Sequence, residues 1–209
     1  MTLLARGWLM LQAFVASLVG MKQRELELHM QIWALAPASG PAAATAATLL
    51  VECGQPAAAI DVLQQTLERS PDYASGWFNL GYIHEQQNDA AAAERCFRRA
   101  LDLDRKLDRA WYGLALVLIR GGRLPEAVAA LKENIRLQPF SPYGFYQLGM
   151  TYHHLGQTED ARRVCKQLQQ FEPRYAATLE RDLDNTQPHS RTEAAPSTST
   201  ATEALIAST

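Results

Sequence analysis

The sequence predicts an all-α protein, a solenoid of antiparallel helix pairs, on three observations. Alanine is abundant and β-branched runs are scarce, which favours helix over strand. Large and small side chains recur in one phase at a step of 34 residues. A Gly or Asn falls in the middle of each step, where a chain reversing between two helices needs a left-handed residue.

The step is clearest in the centre of the chain. Trp77, Leu80 and Gly81 are answered by Trp111, Leu114 and Ala115, then by Phe145, Leu148 and Gly149. Ala93, Ala127 and Ala161 keep the same phase, as do Phe97, Leu131 and Cys165. Pro71, Pro139 and Pro173 lie on the grid too, with Arg105 in the remaining place. Backwards, Ala46, Ala47, Leu50, Ala59 and Leu63 fit another unit, and Ala13, Ile32 and Pro37 give a fainter one. The mid-unit turns are Gly20, Gly54, Asn88, Gly122 and Gly156.

Within a unit this spacing predicts a first helix from near Trp77 to Gln86 and a second from Ala90 to about Leu103. Trp77 and Leu80 would face Ala93 and Phe97 across the hairpin, with Gly81 and Ala93 small where the backbones come close. Burying Trp77 or Trp111 is worth roughly 1.5–3 kcal/mol. One hairpin cannot cover its own apolar faces, so each must stack on the next. Pro139 stops a helix, Ser141 and Pro142 read as cap and first residue of its successor, and Pro56 and Pro125 suit first turns.

The spacing W-x2-L-G-x2-(large)…A-x3-F…P resembles the tetratricopeptide repeat. The resemblance implies a right-handed superhelix with first helices on its concave side. It divides the chain into repeats at 40–73, 74–107, 108–141 and 142–175. A degenerate, apolar helix pair would occupy 1–39, and a capping helix 176–186 with Leu179 and Leu183 inward. Residues 187–209 are a Ser/Thr/Ala-rich tail, disordered by composition.

The N-terminus supports two readings. Arg6 precedes an apolar run from Trp8 to Val19, broken by Gln12, which suits a signal or anchor over residues 1–21. As a repeat, it is followed by a helix over 22–36 with Leu26, Met30 and Trp33 as its stripe. End units normally show water a polar face, so an end this apolar calls for a cover. Membrane contact through residues 8–19 stays open.

Catalysis is not expected. His84 and Glu85 lack the second His that a zinc helix carries four residues on, because Asn88 stands there. His153 and His154 diverge on a helix, and the sequence has no phosphate-binding glycine loop, so no cofactor or metal is expected. A formal charge of −2, from 20 basic and 22 acidic residues, argues against nucleic acid. Three scattered cysteines fit a reduced, cytoplasmic setting; a signal or anchor at 1–21 would instead make the chain membrane-associated, periplasmic or secreted.

Binding is the better-supported role. The first-helix side chains left over from packing include Asn79, Tyr82, Arg109, Tyr112 and Arg120, then Tyr143, Tyr146, Gln147 and His153. Tyrosines beside amide and guanidinium donors suit an extended peptide or helix of another protein. Some tetratricopeptide arrays clamp a C-terminal carboxylate with Lys, Asn and Arg. Here Asn79 and Arg109 fill two of those slots, but Ala44, Thr48 and Gly113 occupy the others, so that clamp is not expected. The alternatives are an accessory subunit of an enzyme complex and an envelope or membrane assembly factor held by its N-terminus. Oligomeric state is not legible.

Overall fold

The computed structural model describes residues 2–185, which form eleven helices and no strand. The tail at 187–209 and the last residue of the expected capping segment lie outside them. The helices run as antiparallel pairs: α1 (Thr2–Leu18) with α2 (Lys22–Ala34), α3 (Gly40–Glu52) with α4 (Pro56–Arg69), and α5 (Ala74–Gln86) with α6 (Ala90–Leu103). Next come α7 (Asp108–Arg120) with α8 (Leu124–Leu137), α9 (Pro142–His154) with α10 (Thr158–Gln169), and α11 (Pro173–Asn185). No helix among the described residues is long and apolar enough to cross a membrane.

The five hairpins share one turn. Gly20, Gly54, Gly122 and Gly156 have φ between 70° and 75°, and Asn88 has φ 60°. The N–H of the following residue donates to the carbonyl five positions back: Met21 to Ala16, Gln55 to Leu50, Asp89 to His84, Arg123 to Leu118 and Gln157 to Tyr152, all at 2.8–2.9 Å. This closes the helix C-terminus with a bond only a left-handed residue allows. Asp89 then caps α6 by accepting from the Ala92 N–H at 3.0 Å.

Between pairs, indole groups brace the short linkers. The Trp77 Nε1–H donates to the Pro71 carbonyl at 3.0 Å, and the Trp111 Nε1–H to the Arg105 carbonyl at 2.9 Å. The Trp33 indole, fully inside, donates to the Thr66 hydroxyl at 2.9 Å and so joins α2 to α4.

The apolar core runs the length of the stack. One stretch is built around Ile32, Leu50 and Leu63, the other around Phe97, Leu114 and Leu131, and Trp77 packs against both. At the junction Phe97 is gripped between two glycines. A Cβ on Gly81 would lie 2.9 Å from its Cδ1, and one on Gly113 2.7 Å from its Cζ. Only absent side chains let α5 and α7 close on that ring.

Some boundaries differ from the expectation. First helices begin three residues before the large aromatic of the repeat: Ala74 before Trp77, Asp108 before Trp111 and Pro142 before Phe145. The helix expected over 22–36 stops at Ala34. α11 opens at Pro173, three residues ahead of the place that a 34-residue step from α9 would give it.

Helix contacts give the stack an inside. α3 touches α5, α5 touches α7, and α9 touches α11, whereas among the described residues no even-numbered helix meets the next even one to that extent. By these contacts α3, α5 and α7, and then α9 and α11, lie on the tighter face.

Candidate interaction groove

On that inner face α5, α7 and α9 border a cavity of about 640 Å³. Phe97, itself buried, lies at its floor beside the bare backbone of Gly113. Phe78 and Tyr82 come from α5, Arg109 and Tyr112 from α7, and Tyr143 from α9. The 3.6-residue period explains the convergence: Phe78 and Tyr82 stand one turn apart, as do Arg109 and Gly113.

The walls are organised. The Arg109 guanidinium lies 5.0 Å from the centre of the Phe78 ring, so the charge rests on an aromatic face with its N–H groups free to turn to a ligand. Tyr112 is half-buried; burial pushes its phenol above the usual range, and a hydrogen bond with Gln147 works the other way. It stays a neutral donor across the physiological range. Tyr143 is exposed and meets the edge of Tyr175 at 5.6 Å. At the α5 side, Glu85 is paired with Arg120 at 2.7 Å, which sets a charge-balanced rim. Beneath, buried Asn134 donates from Nδ2 to the Asp108 carbonyl at 3.0 Å and ties α8 to the start of α7.

The nine side chains singled out in the sequence do not form one set. Tyr82, Arg109, Tyr112 and Tyr143 line the cavity, with Gln147 beside Tyr112 and Arg120 spent on Glu85. Asn79 is half-buried on α5 and does not line it. Two placements correct the expectation. The Tyr146 hydroxyl donates to Asp182 Oδ2 of α11 at 2.7 Å, so the capping helix claims it. His153 is buried, its ring 6.1 Å from that of His154, and it borders a different cavity with Cys165 and Leu183. Phe78, Phe97 and Asn134 were not singled out as groove residues. The one available signal was Gly113, a glycine inside a helix beside an aromatic that recurs in phase.

Among the described residues no group of three or more His, Cys, Asp or Glu is placed to hold a metal ion. Cys53, Cys96 and Cys165 are free thiols. Burial pushes the Cys96 thiol up to about 11, which keeps it protonated and unreactive at neutral pH.

Helical hairpins stacked at a 34-residue step, with a shared left-handed turn and an aromatic inner face, define a tetratricopeptide-repeat protein. Residues 21–208 match the family described as the cilia and flagella-associated protein 70 C-terminal domain, and the chain belongs to that family. Among curated proteins, the human protein O-mannosyl-transferase TMTC3 is 28% identical over 144 residues, which cover 65% of this chain and 16% of that protein. The general transcriptional corepressor ssn6 of Schizosaccharomyces pombe is 31% identical over 105 residues, covering 49% of this chain and 10% of the corepressor. The chain thus spans a minor part of either relative. Among solved structures, a crystal structure of MamA superposes with a TM-score of 0.71 at 19% identity, over 82% of this chain and 94% of MamA. YrrB, described as a TPR protein with an unusual peptide-binding site, gives 0.66 at 20% identity, over 81% of this chain and 88% of its own. These likenesses establish the fold.

Proposed function

We propose that this chain is a noncatalytic interaction module that holds an extended segment of another protein against α5, α7 and α9. The observation that carries the reading is the convergence of Tyr82, Arg109, Tyr112 and Tyr143, from three successive inner helices, on one cavity. Rigid aromatic walls give contact area at small entropic cost, and Arg109 and Tyr112 offer donors to a peptide carbonyl or carboxylate. The balanced rim of Glu85 and Arg120 favours short-range fit over long-range charge steering.

The test uses peptides selected against the whole chain from a random library. Replacing Tyr82 and Tyr112 with Ala should weaken their binding about tenfold or more, with an unchanged helical circular-dichroism signal. Equal affinity for the double variant would place the binding face elsewhere.

A further inference from the structure

We infer that α1 is an interface to a second copy of this chain, the two copies meeting α1 to α1 across a two-fold axis. The inference involves none of the groove residues and stands apart from the function proposed for them.

α1 is apolar on both sides, yet only one side is covered. Leu9, Ala13 and Ala16 turn towards α2, which is the helix that α1 substantially contacts. The opposite side shows solvent Leu4 (86% exposed), Trp8 (62%), Leu11 (53%), Val15 (51%) and Leu18 (73%). Their spacing alternates four and three residues, the 3.5-residue period of a seam between two packed helices. A helix apolar all round belongs inside a core.

The size of the stripe points to a protein partner. With Phe14 and Met10 on its flank, it exposes on the order of 1,000 Å², taking roughly 150–250 Å² for a large side chain at full exposure. Patches on monomers seldom pass about 600 Å², and a stable interface needs roughly 800 Å² from each partner.

Charge selects the occupant. A helix that lies on a bilayer carries a basic polar face. α1 holds one charged side chain, Arg6, and the nearby charges of α2 cancel, Lys22 and Arg24 against Glu25 and Glu27. The far end of the stack is no better match. Exposed Arg174, Glu180, Arg181 and Asp184 on α11 would lose their water against an uncharged stripe. Head-to-tail stacking into a filament is therefore disfavoured, and a closed pair of like ends remains.

The stripe also fits itself. Leu11 is its midpoint, so an antiparallel pair places Leu11 against the partner's Leu11 and Leu4 against the partner's Leu18. Trp8 falls in the layer of the partner's Phe14 and Val15, and no charge meets a like charge across the axis.

The experiment is sedimentation velocity with light scattering on the full chain at about 1–50 µM. The expected mass is twice the 23.2 kDa of one chain. Leu11→Glu with Val15→Glu, both at exposed positions, should return the single-chain mass with unchanged helicity. Should that variant aggregate, Leu11→Cys provides a second readout: it should form a position-11 disulfide between copies, whereas Glu180→Cys should not. A wild-type monomer throughout that range overturns the inference. So does a dimer indifferent to both substitutions, an open-ended assembly, or a monomer that binds phosphatidylcholine vesicles through α1.

Discussion

The Tyr146 hydroxyl donates to Asp182 across the gap between α9 and α11, at 2.7 Å. The bond to Tyr146 and the neighbouring Arg181 guanidinium hold the Asp182 carboxyl below the usual range, against a smaller opposing effect of burial. It fastens the last described helix to the stack and takes Tyr146 out of the groove. Tyr146→Phe should therefore raise amide exchange in α11 roughly two- to tenfold, since one ordinary hydrogen bond is lost. Library-selected groove peptides should bind the variant as they bind the parent. Loss of peptide affinity without faster exchange would return Tyr146 to the groove.

Gly113 is a helix-interior glycine with a packing reason. Gly113→Ala gains about 1 kcal/mol of helix propensity but drives a methyl into the Phe97 ring, which Gly81 holds from the other side. The clash should win, with a net loss of about 1–3 kcal/mol in urea unfolding. A stabilised variant would mean that the ring has room to move.

The buried Trp33–Thr66 pair offers a double-mutant cycle. The Thr66 hydroxyl accepts from the Trp33 indole and donates to the Val62 carbonyl at 2.9 Å, so both its roles are filled. Thr66→Val strands the indole N–H, at a cost of about 1–3 kcal/mol. Adding Trp33→Phe removes the stranded donor, so the double variant should lie about 1 kcal/mol above the sum of the singles in stability. Strict additivity would deny the bond.

Glu94 sets an acid limit. Burial raises its carboxyl, but hydrogen bonds from Arg98 and Arg123 outweigh that and leave it below the ordinary carboxylate range. A depressed value means that the stabilisation is complete above the ordinary range and fades as pH falls through the lowered one. Glu94→Gln should lower the thermal midpoint by about 1–2 °C at pH 7, and the gap should narrow as the pH falls below the ordinary carboxylate range. A gap that stayed constant with pH would show that charge is not its origin.

Much of this architecture is legible in the sequence because packing repeats. Ala93 and Phe97 recur in phase since each second helix must meet the same neighbours, and α6 ends at Leu103 as that spacing predicts. The start of α11 is not legible. Pro139 lies in the linker after α8 while Pro173 opens a helix, and proline suits both places equally. α10 is two residues shorter than α4, α6 and α8, so the phase slips while a proline still lands on the grid. Within the groove, Tyr82 and Tyr112 were readable as surplus to helix packing. The diversion of Tyr146 was not, because Asp182 belongs to a helix outside the repeating phase.

The indole braces to positions 71 and 105 carry a lesson for tracing distant kin of this chain. Their acceptor is a main-chain oxygen, which proline and arginine supply alike, so this column of the repeat is free to drift in side-chain identity while its job is done. A search that demands proline there discards sound units. One that weighs the tryptophan and the distance back along the chain keeps them.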